Sequence, residues 1–255
     1  MKAPIPWRAK FKAFGTHLLL SVVVFAAIIA LTVWLWYPPP LFWIDGGVQI
    51  TLLAAGIDIV AGPLLTLVVY RPRKPGLMMN LVVIAAIQAG ALAWGVGTLY
   101  SQRPVLMAFV PYNQNRFFPV TQAQIREGAR SPEALRALSP HRPPMVFVDL
   151  PENPEDAASL MTSQTTSVLR HTERFHAIDA ERLGQIARSA RSRKVYEAVS
   201  PKYVEGIDRF TADHGGNADG FAFIPLYGRF GGALLAISKT DGSLASVVAK
   251  EFKLK

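Results

Sequence analysis

Three long apolar runs dominate the first hundred residues of this chain. Thr16–Tyr37 has 22 residues and Leu77–Tyr100 has 24, and neither contains Asp, Glu, Lys or Arg. Val48–Tyr70 has 23 residues and a single charge, at Asp58. A helix rises about 1.5 Å per residue, so each run reaches the roughly 30 Å thickness of the hydrocarbon core of a bilayer. The sequence therefore predicts three transmembrane helices, at about residues 16–37, 48–70 and 77–100.

The first run could instead be the apolar core of a secretory signal peptide, because basic residues precede it. Its length argues against that interpretation. The segment that follows, WLWYPPPLFW, also lacks the pattern of small residues at which signal peptides are cleaved. We therefore expect the first helix to remain in the protein as a membrane anchor.

The charges that flank the three runs predict the orientation of the chain. Four basic residues and no acidic residue precede the first run, and RPRKPG between the second and third runs holds three more basic residues. The connection between the first and second runs, PPPLFWIDGG, has none. Short cytoplasmic segments are enriched in Lys and Arg. We therefore expect a cytoplasmic basic N-terminus at residues 1–15, a transmembrane region at 16–100, and residues 101–255 on the opposite side of the membrane.

Residues 101–255 have the composition of a soluble domain. They carry 20 basic and 16 acidic residues, so this region accounts for only +4 of the net charge of +9. The other basic residues flank the apolar runs, where they set topology, and the net charge is therefore no argument for nucleic-acid binding. The basic stretch RLGQIARSARSRK is either a solvated helix face or a patch that binds a partner, and we favour the solvated face.

Strand and helix signals alternate in this region and predict an α+β domain. PVLMAFVPYNQNRFFPV indicates two strands around a turn, PMVFVDL a buried strand, and FAFIPLYGRFGGALLAISKTDGSLASVVA three further strands. Residues of the types that cap helix N-termini open the intervening segments: Thr121, Ser131, Asn153, Asp179 and Ser200. We expect an antiparallel sheet with helices on one face.

The residues that could carry chemistry do not form a catalytic pattern. The chain has no cysteine, which excludes thiolate metal sites and a cysteine nucleophile. It has no P-loop, no paired-histidine zinc motif and no nucleophile elbow. His171 and His176 are five residues apart, a spacing that does not place two imidazoles on one face of a helix. We therefore expect no enzyme activity, no cofactor and no metal site.

A small group of polar residues lies inside the apolar runs. Asp58 is near the middle of its run, where a charged side chain costs roughly 2.5–3.5 kcal/mol on insertion scales. Gly62 and Thr66 follow at four-residue spacing on the same helix face, and Pro63 cannot donate the usual helical hydrogen bond. Gln88 in the third run lies at the same depth as Asp58, by their distances from the cytoplasmic ends of the two helices.

Two roles are open for this intramembrane group. It is either a structural hydrogen bond between helices, or a site that binds a proton or a ligand. We favour the structural role, because the sequence offers one acid here without a second acid or a base to relay protons. The two roles differ in whether the function of the protein depends on the charge or proton of Asp58.

Three stretches of the chain resemble the TfpX/TfpZ family of type IV pilin accessory proteins. They are DGGVQI, DIVAGPLLTLVVYRPRKPG and LVVIAAIQAGALAWGVGTLYSQRPV, and the resemblance is strong over roughly residues 45–110. Besides the intramembrane residues, recurring positions of the family are occupied by Pro72, Arg73, Lys74, Arg103 and Pro104.

The resemblance implies a multi-pass protein of the bacterial inner membrane with a periplasmic C-terminal domain. It implies an accessory factor that helps a cognate type IV major pilin to be assembled or displayed as a fimbria, and so affects twitching motility. The implied partners are the pilin and the pilus assembly machinery, with no cofactor. The apolar helices add membrane lipid as a partner, and the predicted topology excludes nucleic acid. Two other functions stay open: a periplasmic ligand-binding sensor, and a small transport component that uses Asp58.

Overall fold

The computed structural model describes residues 6–37, 40–111, 114–162 and 168–252. They fold into two compact units. The first contains the chain up to Leu35 together with Gly47–Tyr100, and the second contains Trp36–Gly46 together with the chain from Ser101 onward. The second unit is therefore assembled from two separate stretches of sequence.

Within the described residues, three helical segments are long and apolar enough to cross a membrane: Trp7–Trp36, Gly47–Val69 and Leu77–Ser101. In chain order the helices up to this point are α1 (Trp7–Leu31, followed by a π-helical turn at Thr32–Trp36), α2 (Leu41–Ile44), α3 (Gly47–Ala55, followed by a π-helical turn at Gly56–Ala61), α4 (Gly62–Val69) and α5 (Leu77–Ser101). The second and third segments start and end within one residue of the predicted positions.

The first helix begins nine residues earlier than the predicted Thr16, at Trp7. The basic residues that were assigned to a separate N-terminal segment are therefore part of α1 as far as they are described. Lys10 is 6% exposed, because its ammonium group bonds within the unit rather than to water. The prediction began the helix after the basic residues. It could not include Lys10, because the residues that bond to its side chain are remote in the sequence.

As far as the chain is described, the second unit is built on one sheet of seven strands in the order β4-β3-β1-β2-β5-β6-β7. The strands are β1 (Pro104–Val110), β2 (Arg116–Thr121), β3 (Met145–Val148), β4 (Phe175–His176), β5 (Phe221–Tyr227), β6 (Gly231–Ser238) and β7 (Leu244–Phe252). The helices are α6 (Gln122–Glu127), α7 (Pro132–Arg136), α8 (Pro154–Thr162), α9 (Ala180–Arg188), α10 (Arg193–Val199) and α11 (Pro201–Asp213), with 3₁₀ turns at Val168–Arg170 and Thr172–Arg174.

The sheet is mixed, so the prediction of an antiparallel sheet was wrong. The β1–β2 pair and the meander of β5, β6 and β7 are antiparallel as expected, but β3 runs parallel to β1 and β5 runs parallel to β2. Neither parallel pair is joined by a hairpin; long stretches of chain separate the paired strands, as parallel pairing requires. The turn predicted between β1 and β2 includes residues 112 and 113, which lie outside the described residues.

Helices cover both faces of the sheet rather than the one face that was expected. Alternate residues of β1 enter two different core clusters: Phe109 belongs to the same cluster as Ile186 of α9, and Ala108 to the same cluster as Ile125 of α6. Every residue of β1 is buried. A strand covered on both faces reads as a continuous apolar run, which explains the sequence VLMAFV.

Helix α2 supplies part of the core of the second unit. Leu41 and Ile44 are 1% and 0% exposed and belong to the same cluster as Phe109 and Phe117 of the sheet. The connection between the first two long helices is thus a structural element of the domain that follows the third helix.

Candidate functional site

Polar side chains tie α1 to α4 within the first unit. The Lys10 ammonium group donates hydrogen bonds to the carbonyl oxygens of Leu67, at 2.8 Å, and Val68, at 2.9 Å. These carbonyls belong to the last turn of α4, which has no partner for them inside the helix. The Nδ1 atom of His17 lies 2.7 Å from Oγ1 of Thr66, one of the predicted site residues. The interface between these helices is therefore polar at two points.

Asp58 lies in the π-helical turn that precedes α4 and is 7% exposed. In this turn the Gly62 amide donates to the carbonyl of Ile57, five residues back. Pro63 favours the wider turn, because it has no N–H to offer the Ile59 carbonyl. Single π-helical turns within longer helices are frequent at functional sites, and this one holds the predicted acid.

Gln88 of α5 is a side-chain hydrogen-bond partner of Asp58, and His17 lies within Coulombic range of the same carboxylate. The Gln88 amide sits over Gly62, where an added Cβ would be 1.9 Å from Nε2. Oε1 of Gln88 is buried without a hydrogen-bond partner among the described residues. The structure thus brings Asp58, Gly62 and Gln88 together and adds His17, which was not predicted because a search for charged side chains passes over histidine.

The remaining predicted residues lie apart from this group. Pro72, Arg73 and Lys74 form an exposed turn between α4 and α5, in which Arg73 has a φ of +62°. Arg103 and Pro104 belong to the second unit, where Arg103 donates to Oε1 of Gln122 at 3.2 Å and Pro104 begins β1. The five residues therefore occupy an exposed turn and the junction of β1 with α6.

An ion pair with a buried carboxylate joins two remote segments of the second unit. Asp45, which follows α2, has a side chain that is 3% exposed, and Nε of Arg229 lies 3.2 Å from its Oδ1. Arg229 also donates through Nη2 to the main-chain carbonyl of Asp45, at 2.8 Å. Burial raises the pKa of Asp45, and the Arg229 cation acts in the opposite direction. No sequence signal pointed to this pair.

The turn that carries Arg229 is fitted closely to α2 and the residues after it. The amide of Phe230 donates to the carbonyl of Ile44 at 2.8 Å, and Nη1 of Arg229 donates to Oε1 of Gln102 at 3.0 Å. A Cβ added at Gly228 would lie 2.4 Å from the Ile44 carbonyl oxygen. Glycine is therefore required at 228 for this close approach of two backbones.

A cavity of about 350 Å³ opens beside the ion pair. Its apolar lining includes Phe118, Pro119, Leu169 and Tyr227. Two ion pairs contribute its charged lining: Asp45 with Arg229, and Glu127 with Arg170 at 3.2 Å. Across the described ranges no group of three or more His, Cys, Asp or Glu could hold a metal ion.

Comparison with known proteins points to one family. The profile of "Fimbrial assembly protein FimB" matches residues 5–46, a range that covers α1, α2 and Asp45. The "Fimbrial assembly protein, serogroup E1" of Dichelobacter nodosus is 37% identical over 100 residues, which are 38% of this chain and 39% of the relative. The "Fimbrial assembly protein, serogroup I" of the same organism is 36% identical over 100 residues, again 38% of this chain and 39% of the relative.

A third relative is matched over most of its length. The "Fimbrial assembly protein, serogroups C1 and C2" of Dichelobacter nodosus is 36% identical over 100 residues, which are 38% of this chain and 76% of the relative. No solved structure matches the chain significantly. Identity at this level over three quarters of a relative shows common descent, and the chain therefore belongs to the family of fimbrial assembly proteins.

Proposed function

We propose that this chain is an accessory factor of the TfpX/TfpZ type, which assists the assembly or surface display of a cognate type IV major pilin. The observation that carries the proposal is membership in the family of fimbrial assembly proteins. The chain acts through protein contacts in the membrane and at its surface rather than through catalysis. Its partners are the pilin and components of the pilus assembly machinery.

The proposed location is the bacterial inner membrane, with the N-terminus in the cytoplasm and the second unit in the periplasm. Residues 36–46 and the chain from Ser101 onward form one folded unit, so they must lie on the same side of the membrane. This supports a topology in which both the second and the third apolar helices cross the bilayer, since two crossings return the chain to the same side. The basic flanks of these helices support a periplasmic location for the second unit.

Asp58 has a structural role in this proposal: it joins the second and third helices through Gln88. Such interhelical hydrogen bonds in membranes contribute about 0.6–2 kcal/mol. One observation favours the alternative of a transport component, namely that His17 supplies a base within Coulombic range of the acid. The other alternative, a ligand-binding sensor, finds support in the 350 Å³ cavity of the second unit.

The decisive experiment removes the gene from its native host and restores it in variant forms. Without the protein, we expect pilin to be synthesised at its normal level while surface pili and twitching decrease. Wild-type protein and Gly220→Ala should restore both, because nothing lies within 4 Å of an added Cβ at 220. Pilin should co-purify with the restored protein in a mild detergent. Normal pili, twitching and pilin level in the deletion strain would contradict the proposal.

A further inference from the structure

Two aromatic side chains are exposed on adjacent segments of the second unit. Trp43 of α2 is 45% exposed and Phe230 of the β5–β6 turn is 36% exposed. Among the described residues of this unit, the other large apolar side chains as exposed as these are Val195 and Val199. A single exposed apolar residue needs no explanation. These two aromatic residues, however, both lie on segments that adjoin the ends of the apolar helices.

The β5–β6 turn is held at two points that adjoin apolar helices. An added Cβ at Gly46 would lie 3.1 Å from the Phe230 ring, and Gly46 is the residue before α3 begins. Arg229 bonds to Gln102, and Gln102 is the residue after α5 ends. Both attachment points are thus one residue from the end of a helix that is long and apolar enough to span a bilayer.

We propose that the turn Gly228–Phe230 and Trp43 form a contact with the bilayer surface, with both aromatic rings in the headgroup region. Trp is enriched at this depth because its amphipathic ring tolerates both the apolar and the hydrated side, and Phe is among the apolar side chains that interfacial segments bury at the boundary between headgroups and acyl chains. The Arg229 cation is paired with the buried Asp45 carboxylate, so the contact depends on the rings rather than on net charge. The partner is therefore a phospholipid interface of any headgroup charge. This inference rests on the proposed membrane location.

The test uses the full chain in lipid nanodiscs and fluorescent labels on single cysteines, since the natural chain has no cysteine. Phe230→Cys carries the test label. Thr240→Cys is the matched control, because position 240 is exposed and lies in the turn at the opposite end of β6. Lipids with a nitroxide on the headgroup should quench most of the fluorescence at position 230 and little of that at 240. Zwitterionic and anionic discs should give the same result.

Two further labels make the outcome unambiguous. Trp43→Cys gives an independent measurement of the same contact, in case the change at 230 disturbs the turn. Val60→Cys reports on the second apolar helix, where the native side chain is 54% exposed, and its label should be quenched by nitroxide in the acyl chains. If position 60 is quenched while 43 and 230 behave like 240, the surface contact is refuted and the membrane location stands. An unquenched label at position 60 refutes both.

Discussion

Asp45 and Arg229 are 184 positions apart in the sequence, yet their side chains form an ion pair of 3.2 Å in which the carboxylate is 3% exposed and the guanidinium 40% exposed. The two partners therefore differ in what their loss leaves behind. Removal of Arg229 leaves a buried carboxylate without its cation, whereas removal of Asp45 leaves a cation that already reaches water.

The unequal burial predicts unequal effects of substitution. Arg229→Met should destabilise the second unit by about 3–5 kcal/mol, the cost of breaking a buried pair. Asp45→Asn keeps the shape of the side chain and one acceptor oxygen, so it should cost about 1–2 kcal/mol. Thermal unfolding in mild detergent, with hydrogen-exchange protection of β5 and β6, measures both. Equal losses in the two variants would show that the burial of the carboxylate does not govern the pair.

Arg229→Met should also change how stability depends on pH. Burial raises the pKa of Asp45 above its ordinary 3.8, and the variant lacks the cation that opposes this. Because the folded state then binds the proton at a higher pH than the unfolded state does, the variant should regain stability relative to wild type as the pH falls toward 3.8. The double variant Asp45→Asn, Arg229→Met cannot titrate here and should show no such recovery.

The close approach at Gly228 predicts that an added methyl group there lowers stability, and Gly220 provides a matched control. Gly228→Ala places a methyl group 2.4 Å from the Ile44 carbonyl oxygen, so backbone must shift. The expected loss is about 1–3 kcal/mol, as for other overpacked sites. Gly220→Ala meets nothing within 4 Å and should change stability by less than about 0.5 kcal/mol. Equal unfolding temperatures of the two variants would contradict the fit between the turn and α2.

The role of Asp58 is decided by two substitutions. Asp58→Asn keeps a hydrogen bond to Gln88 and should preserve accumulation and most of the pili. Asp58→Leu leaves Gln88 without this partner and should cost about 0.6–2 kcal/mol of helix association. Pilus number and protein level are the measurements. An Asn variant that accumulates normally but is as inactive as the Leu variant would replace the structural role with one that depends on charge or a proton.

Two glycines of the second apolar helix offer a comparison of packing. An added Cβ at Gly62 would lie 1.9 Å from Nε2 of Gln88, so Gly62→Ala should push the amide away from Asp58 and lower the unfolding temperature. Gly56→Ala meets nothing within 4 Å and should be neutral or slightly stabilising. Combining Gly62→Ala with Gln88→Ala should remove most of the additional cost, because the two residues are in contact.

The proposed topology predicts which fusions are active. Alkaline phosphatase, which folds in the periplasm, should be active when fused after residue 110 and inactive within RPRKPG, at residues 71–76. The basic residues of that turn are expected to hold it in the cytoplasm. The reverse pattern of activities would place the second unit in the cytoplasm.

The helices were predictable where a local pattern determines them. The second and third apolar segments match the structure because a long apolar run with at most one charged residue has one stable form in a bilayer. The predicted cap Thr121 is also realised: its side chain accepts a hydrogen bond from the Gln124 amide, and the Gln124 side chain accepts one from the Thr121 amide. The start of α1 was missed because the bonds of Lys10 to α4 depend on residues more than fifty positions away.

Features that depend on remote contacts were not predictable from local pattern. The parallel pairing of β1 with β3 has no recognisable pattern in the sequence of either strand, because a buried strand is apolar whether it pairs in parallel or antiparallel. The interaction of Asp58 with Gln88 was expected from matched depth, whereas the contribution of His17 was not. The apolar run LFWI in α2 was a usable signal for burial, because a solvent-exposed connection would not carry it.

The division of the second unit into two stretches of chain has a consequence for biogenesis. In the proposed topology, the ribosome releases α2 before any strand of its sheet exists, and Leu41 and Ile44 stay without their packing partners until β1 and β2 have been delivered to the same side of the membrane. A molecule in which one of the later helices fails to insert would keep these pieces apart, with an unfinished core open to proteases. Completion of this fold would therefore depend on correct membrane insertion, and molecules that insert wrongly would be removed by proteolysis.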